Sequence, residues 1–224
     1  MIVRKNLEQG SEEWFRARLG CATASAASKI ITSTGKLSAS RVGYAREIAL
    51  ECEIASKGFK GNDATEHGNY WEPFARAHFE RVQNVKVQEV GFVTREDRII
   101  GCSPDGLIAD EDGNWIAGLE IKCPFSASKH IDYLLDGGVP TAYKAQVHWS
   151  MAITGLPWYF MSFLPNPERD ENSPERPPFQ QLIVKVEPDE YTEKVAMAQD
   201  QFLPVFREEY GKVIEALYGK GGLK

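Results

Sequence analysis

The sequence predicts a mixed α/β (α+β) fold, and three observations carry that expectation. Helical patterning dominates the first 82 residues, the period shortens to that of strands between residues 85 and 122, and helices and strands then alternate toward the end of the chain. A chain of 224 residues, 42% of them hydrophobic, can bury a sizeable core without disulfides or a structural metal. Gly, Pro and charged residues occur at ordinary globular levels, which excludes a disordered or fibrous chain.

Taken in order, Ser11 precedes EEWFRARLG as an N-cap with first-turn acids and Gly20 as the stop. A short helix is expected from Thr23 or Ala24 to Ile31, and longer ones over Ser40–Lys57 and Thr65–Val82. Val85–Thr94, Arg98–Pro104 and Trp115–Lys122 read as strands, with Asp112-Gly113 favouring a tight connection. Helices follow over Ser126–Leu135 and Thr141–Thr154, then strands over Trp158–Leu164 and Gln180–Glu187. Between those strands, Pro165–Pro178 is rich in Pro, Asn and charge and reads as an exposed loop, not a domain boundary. A helix from Asp189 to Tyr218, kinked at Pro204, ends the chain. The whole is expected to be one domain: a helical part to about residue 82, sheet and helices over about 83–187, and the helix at 189–218.

The net charge is −6, which argues against a uniformly basic nucleic-acid coat. The charge is uneven: +4 over residues 1–50, −6 over 51–165 and −4 over 166–224. The positive segment is expected to line one surface that meets an anion. No apolar run reaches membrane-spanning length, and the N-terminus lacks the apolar core of a signal peptide. The four cysteines show no CxxC spacing, so reduced thiols and a cytoplasmic location are expected.

The informative residues are Cys102-Ser103-Pro104-Asp105-Gly106 and Glu120-Ile121-Lys122-Cys123. If 98–108 and 115–122 are adjacent antiparallel strands, Asp105 and Glu120 meet at one end of a hairpin. Glu120 and Lys122 then share a face, and Ile121 points into the core. Two crowded carboxylates repel unless a cation lies between them. Oxygen ligands, completed by the Ile121 carbonyl, suit Mg²⁺ or Mn²⁺. Lys122 would orient or deprotonate water, or stabilise phosphate charge. Taken singly, Glu-x-Lys is also a common solvated strand face and Ser-Pro-Asp-Gly a common turn. The four histidines have no zinc spacing and read as packing or solvent residues, and Trp14 and Trp71 read as core.

Pro104-Asp105…Glu120-Ile121-Lys122 resembles the PD-(D/E)xK nuclease signature. Over residues 10–165 the chain more closely resembles the lambda-type phage exonucleases of the viral recombinase family. The matching pieces include Trp14…Arg18-Leu19-Gly20, Thr23-Ala24-Ser25, Gly68…Glu72…Ala75-Arg76 and Tyr143-Lys144-Ala145-Gln146. The resemblance implies a restriction-endonuclease-like core, a central mixed sheet flanked by helices. It also implies a 5′-to-3′ exonuclease that degrades one strand of linear double-stranded DNA to mononucleotides and leaves a 3′ overhang. Asp105, Glu120, the Ile121 carbonyl and Glu72 would hold two Mg²⁺ ions, and Lys122 would be the catalytic lysine. Arg18, Ser25, Ser103 and Gln146 would bind the 5′-phosphate. Implied partners are the DNA, two further copies in a homotrimeric ring and a single-strand annealing recombinase, with no membrane. An endonuclease on the same core and a nonenzymatic DNA-end-binding module are the alternatives. An iron–sulfur nuclease is disfavoured, because no cysteine follows Cys123.

Overall fold

The computed structural model describes residues 1–54, 63–166 and 179–219. Among the described residues, nine strands form two sheets. The strands are β1 (Ile2–Arg4), β2 (Ala22–Thr23), β3 (Val87–Gln88), β4 (Phe92–Thr94), β5 (Ile100–Cys102), β6 (Gly106–Ala109), β7 (Trp115–Lys122), β8 (Trp158–Ser162) and β9 (Leu182–Val186). The helices are α1 (Glu12–Arg18), α2 (Arg41–Glu53), α3 (Asp63–Gln83), α4 (Ala127–Asp136), α5 (Thr141–Thr154) and α6 (Glu190–Tyr218), with a 3-10 turn at Ala24–Lys29. The mixed α/β class holds.

The larger sheet has the order β3-β6-β7-β8-β9 and is mixed: β7 and β8 run parallel, and the other pairs are antiparallel. Alternation along β7 gives it two faces. Ala117, Leu119 and Ile121 pack with Ala75 and Phe79 of α3 and with Met161. Glu120 and Lys122 face the other way, toward α5. Glycine is required at 118, where a Cβ would overlap the Trp158 ring. A larger core joins the small sheet to α2, α5 and α6 through Ile48, Ile100, Trp149, Phe160 and Phe202.

The small sheet, ordered β1-β4-β5-β2, departs from the expectation of one central sheet after a helical N-terminal part. Two of its strands, β1 and β2, come from the first 23 residues. They are three and two residues long, too short to show a period in sequence. The expected strand over 85–94 is divided between the sheets as β3 and β4, and the run 98–108 likewise as β5 and β6. The break in the second run is Ser103-Pro104-Asp105, where proline supplies no ladder donor.

Helix ends follow the sequence signals closely. Ser11 Oγ accepts from Trp14 N at 3.2 Å, and Asp189 closes a capping box with Thr192. Gly137 and Gly155 end α4 and α5 in the left-handed region. The expected short helix near residue 24 is a 3-10 turn. α6 runs unbroken through Pro204. The expected helix end at Lys57, and the expected loop beyond Asn166, lie outside the described residues. The positive N-terminal segment is not a row of unpaired cations: Arg16, Lys29 and Arg46 pair with Glu12, Glu47 and Glu209.

Candidate active site

The segment between the sheets carries Asp105. Its backbone N–H donates to Leu119 O at 3.1 Å, and its Oδ2 accepts from Ile121 N at 2.5 Å. β6 pairs with β7 only as far as Leu119, so the Asp105 side chain takes the place of a ladder partner for the next residues. Peptide groups alternate sides along a strand. Lys122 O accepts from Phe163 N next to β8, so the Ile121 carbonyl faces the Asp105 side.

Glu120 is 2% exposed and accepts from Gln146 Nε2 at 2.5 Å and from Lys122 Nζ at 2.6 Å. The Lys122 ammonium lies 5.1 Å from the Tyr143 ring centroid. From α3, Glu72 accepts from Arg76 Nη2 at 2.6 Å. Arg76 Nε donates to the Asp105 carbonyl at 3.1 Å, and its remaining arm pairs with Glu89. The structure therefore brings Asp105, Glu120, Ile121, Lys122, Glu72 and Gln146 to the mouth of one strand pair.

Charge is unbalanced there. Burial raises the Asp105 pKa well above the usual carboxylate range; Glu120 and Glu72 add to this, while Lys122 and the Ile121 N–H oppose it. Glu72 is also raised, chiefly by burial, although Arg76 opposes the shift. Burial opposes the Lys122 charge, but Glu120 and Asp105 outweigh it and raise its pKa, so the amine is held protonated. Cys123 is pushed up to about 12 by burial and by Glu72 and Asp105, so its thiol stays neutral. An excess of carboxylate in a half-buried site is chemistry that suits a hard dication. No three His, Cys, Asp or Glu side chains among the described residues form a ready-made metal cage. The reason is visible: each acid is turned onto a protein donor, Ile121 N–H, Lys122 with Gln146, or Arg76.

Two residues before Asp105, Ser103 belongs to a cationic cluster. Arg18 Nη1 donates to Ser103 Oγ at 2.6 Å, and the guanidinium lies 4.0 Å from the Trp14 ring centroid. Trp14 Nε1 donates to Gly91 O at 2.8 Å and reaches Ser103 Oγ at 3.2 Å. Burial lowers the Arg18 pKa. Ser25 is exposed within the 3-10 turn, with its hydroxyl 3.2 Å from that of Thr23. Gln146, expected among the phosphate ligands, is spent on Glu120.

Sequence reasoning gave Arg76, Tyr143 and Gln9 no role. Gln9 Nε2 holds the Pro104 and Val90 carbonyls at 2.8 and 2.9 Å. Only the Glu72-Arg76 spacing of i,i+4 was a legible signal. Trp14 and Trp71 are half-buried beside the site and outside the core clusters, contrary to expectation. His130 and His148 are packing residues, as expected.

A mixed sheet with Pro-Asp at the start of one strand and Glu-x-Lys at the end of its neighbour defines the PD-(D/E)xK nuclease class. Residues 13–157 match the YqaJ-like viral recombinase domain, and the chain belongs to that family. Among solved structures it is similar to an alkaline exonuclease from Laribacter hongkongensis, at 28% identity and a TM-score of 0.74, over 92% of this chain and 98% of that one. The same exonuclease in complex with dAMP matches at 28% identity and a TM-score of 0.73, with the same coverage. A phage-related exonuclease from Haemophilus somnus 129PT shares the fold at 17% identity and a TM-score of 0.62, over 88% of this chain and 96% of that one. No curated protein matches. No helix among the described residues is long and apolar enough to cross a membrane.

Proposed function

We propose that the chain is a divalent-metal-dependent 5′-to-3′ exonuclease that degrades one strand of linear duplex DNA to 5′-mononucleotides. The observation that carries this reading is the three-residue span from Ser103 to Asp105. It joins a half-buried arginine fork to an unbalanced carboxylate cluster, so a terminal phosphate and a neighbouring phosphodiester can be held at once. The relatives point the same way: an exonuclease at 28% identity has been solved with dAMP, a mononucleotide.

Asp105, Glu120, the Ile121 carbonyl and Glu72 would hold Mg²⁺ or Mn²⁺, as two ions. Bound there, the metal would lower the pKa of a water nucleophile and offset charge on the leaving 3′-oxygen. Asp105 sets the attack position, because its backbone and carboxylate are both pinned to β7. Lys122 is held as an ammonium, so charge stabilisation at the phosphate fits it better than service as a base. Gln146 fixes the Glu120 rotamer. Arg18 offers parallel N–H donors to the 5′-phosphate, with Ser103 and Ser25 as hydroxyl partners. Each cut leaves a new 5′-phosphate, which the same cluster would draw in. A homotrimeric ring and a single-strand annealing partner belong to the same proposal and rest on the family alone.

Digestion of linear duplex DNA with and without a 5′-phosphate tests the reading. Metal-dependent mononucleotide release, faster with the phosphate and absent on closed circles, is expected. Full release in EDTA would sink it.

A further inference from the structure

One turn of surface away from Glu72, α3 presents a second face. Trp71, Phe74, His78 and Arg81 recur at helical spacing and, with Phe163 and Phe179, line a cavity of about 310 Å³. Three features set this groove apart from an ordinary apolar patch.

Its position is the first. Phe163 lies just beyond β8, and its N–H donates to Lys122 O at 2.8 Å. The groove therefore opens at the carboxyl ends of the parallel pair β7 and β8, the strand ends that carry Lys122, on the α3 face of the sheet.

Its composition is the second. Trp71 and Phe74 line it with centroids 5.3 Å apart, and beside it Tyr70 packs on Trp71 at 5.1 Å and His67 on Phe125 at 5.3 Å. Phe74 is 52% exposed and Phe125 67% exposed. Exposed contiguous apolar surface marks an interaction site.

Its charge is the third. The chain carries −6 overall and the adjoining site is rich in carboxylates, yet among the described residues no carboxylate lines the groove. The charged side chain there is Arg81, which lies 3.0 Å from His78 Nδ1. Aromatic side chains beside an arginine suit a planar base on an anionic backbone.

We propose that this groove stacks an unpaired nucleobase of the DNA strand whose phosphodiester lies at Asp105, Glu120 and Lys122. The inference rests on the nuclease reading above. A strand crossing the catalytic end must continue past it, and the aromatic groove is the adjoining surface able to take a base out of the duplex stack. The cavity volume suits one ring system, not a run of several bases.

The test compares two labelled single strands of equal length, oligothymidylate and an abasic backbone, by fluorescence anisotropy with Ca²⁺ in place of Mg²⁺. The protein is expected to prefer the strand with bases. Trp71→Ala and Phe74→Ala should each lower affinity for oligothymidylate about 5- to 150-fold, the range for loss of one stacked base. Affinity for the abasic strand should stay unchanged, and Phe74→Tyr should retain the preference. Equal loss on both strands, or no loss on either, would overturn the proposal. So would altered self-association in sedimentation with base preference intact, which would make the groove a contact between copies. Digestion of linear DNA by the unaltered chain is measured in parallel. Its absence removes the nuclease reading, whereas digestion with base preference intact in both alanine variants removes the stacking proposal alone.

Discussion

The two clusters on either side of Pro104 are opposites in charge and alike in construction. Around Asp105, three carboxylates are crowded by the fold and neutralised incompletely by Lys122 and Arg76. Around Ser103, one guanidinium is withdrawn from water against Trp14 and Phe92 and donates to the Ser103 hydroxyl. Burial raises the Asp105 and Glu72 pKa values in the first and lowers the Arg18 pKa in the second. Each region holds charge at a cost to the fold, and a ligand of opposite sign relieves that cost. Under the proposed function, the acid side would take cations and the arginine side an anion.

The largest expected effect comes from breaking the acid side. Lys122→Ala should lower mononucleotide release by about 10³-fold or more, since it removes a preorganised charge from the transition state. DNA binding measured by anisotropy should stay largely intact. Asp105→Asn should abolish release as well, but with a second consequence. The unfolded chain ionises Asp105 near its ordinary value of 3.8, whereas the fold keeps the proton to higher pH. Stability linked to that proton is complete below the unfolded value and is lost as pH rises through the folded one. At neutral pH without metal, Asp105→Asn should therefore melt higher than the native chain, by about 2–4 °C for each kcal/mol regained. A lower Tm would contradict the account of the acid cluster as strained.

Breaking the arginine side should cost less and change specificity. Arg18→Ala should slow digestion of 5′-phosphorylated duplex by about 10- to 150-fold, the worth of a charge-assisted hydrogen bond. Digestion of the 5′-hydroxyl duplex should hardly change, so the two substrates converge in rate. Arg18→Lys should recover part of the difference, because an ammonium supplies charge without the planar fork. If both substrates slow equally, the arginine cluster is not the phosphate site.

Arg76 sharpens the comparison by testing how the acids are held. Its three arms reach Glu72, Glu89 and the Asp105 carbonyl, which lysine cannot reproduce. Arg76→Lys should weaken Mn²⁺ binding, read by calorimetry, by about 10-fold, the low end for loss of a ligand's supporting partner. The 5′-phosphate preference should be retained. Loss of that preference would mean that the two clusters are coupled through Pro104.

Much of this was legible before the structure. The Ser11 cap, the helices over 126–135, 141–154 and 189–218 and the long strand β7 all carry local chemical signals, and they appear where those signals placed them. Alternation along β7 also placed Glu120 and Lys122 opposite Ile121. The small sheet was not legible, because β1 and β2 are extended only through pairing with β4 and β5, distant in sequence. Nor was the role of Gln146 on Glu120, since that contact depends on how α5 crosses β7. Trp14 was misjudged for a related reason: a tryptophan at helical spacing reads as core, yet its N–H serves Ser103 and Gly91 beside the site.

His148 supplies the smallest effect and a control for the comparison. It lies 4% exposed between α5 and α6, hydrogen-bonded to Thr192 Oγ1 at 2.7 Å, two residues along α5 from Gln146 but on the opposite side of the helix. Burial lowers its pKa below 6.5 and Lys144 adds to this, while Asp189 opposes. Unlike the charged clusters, this buried group avoids the cost by staying neutral. The unfolded chain takes up the proton first as pH falls, so the contribution is complete above about pH 6.5 and declines below it. His148→Gln should flatten the fall in Tm between pH 7 and 5 by about 3 °C or less. Mn²⁺ affinity and the 5′-phosphate preference should remain unchanged at neutral pH. An unaltered acid slope would show that the carboxylate cluster alone sets the pH response, and that His148 is satisfied in either state.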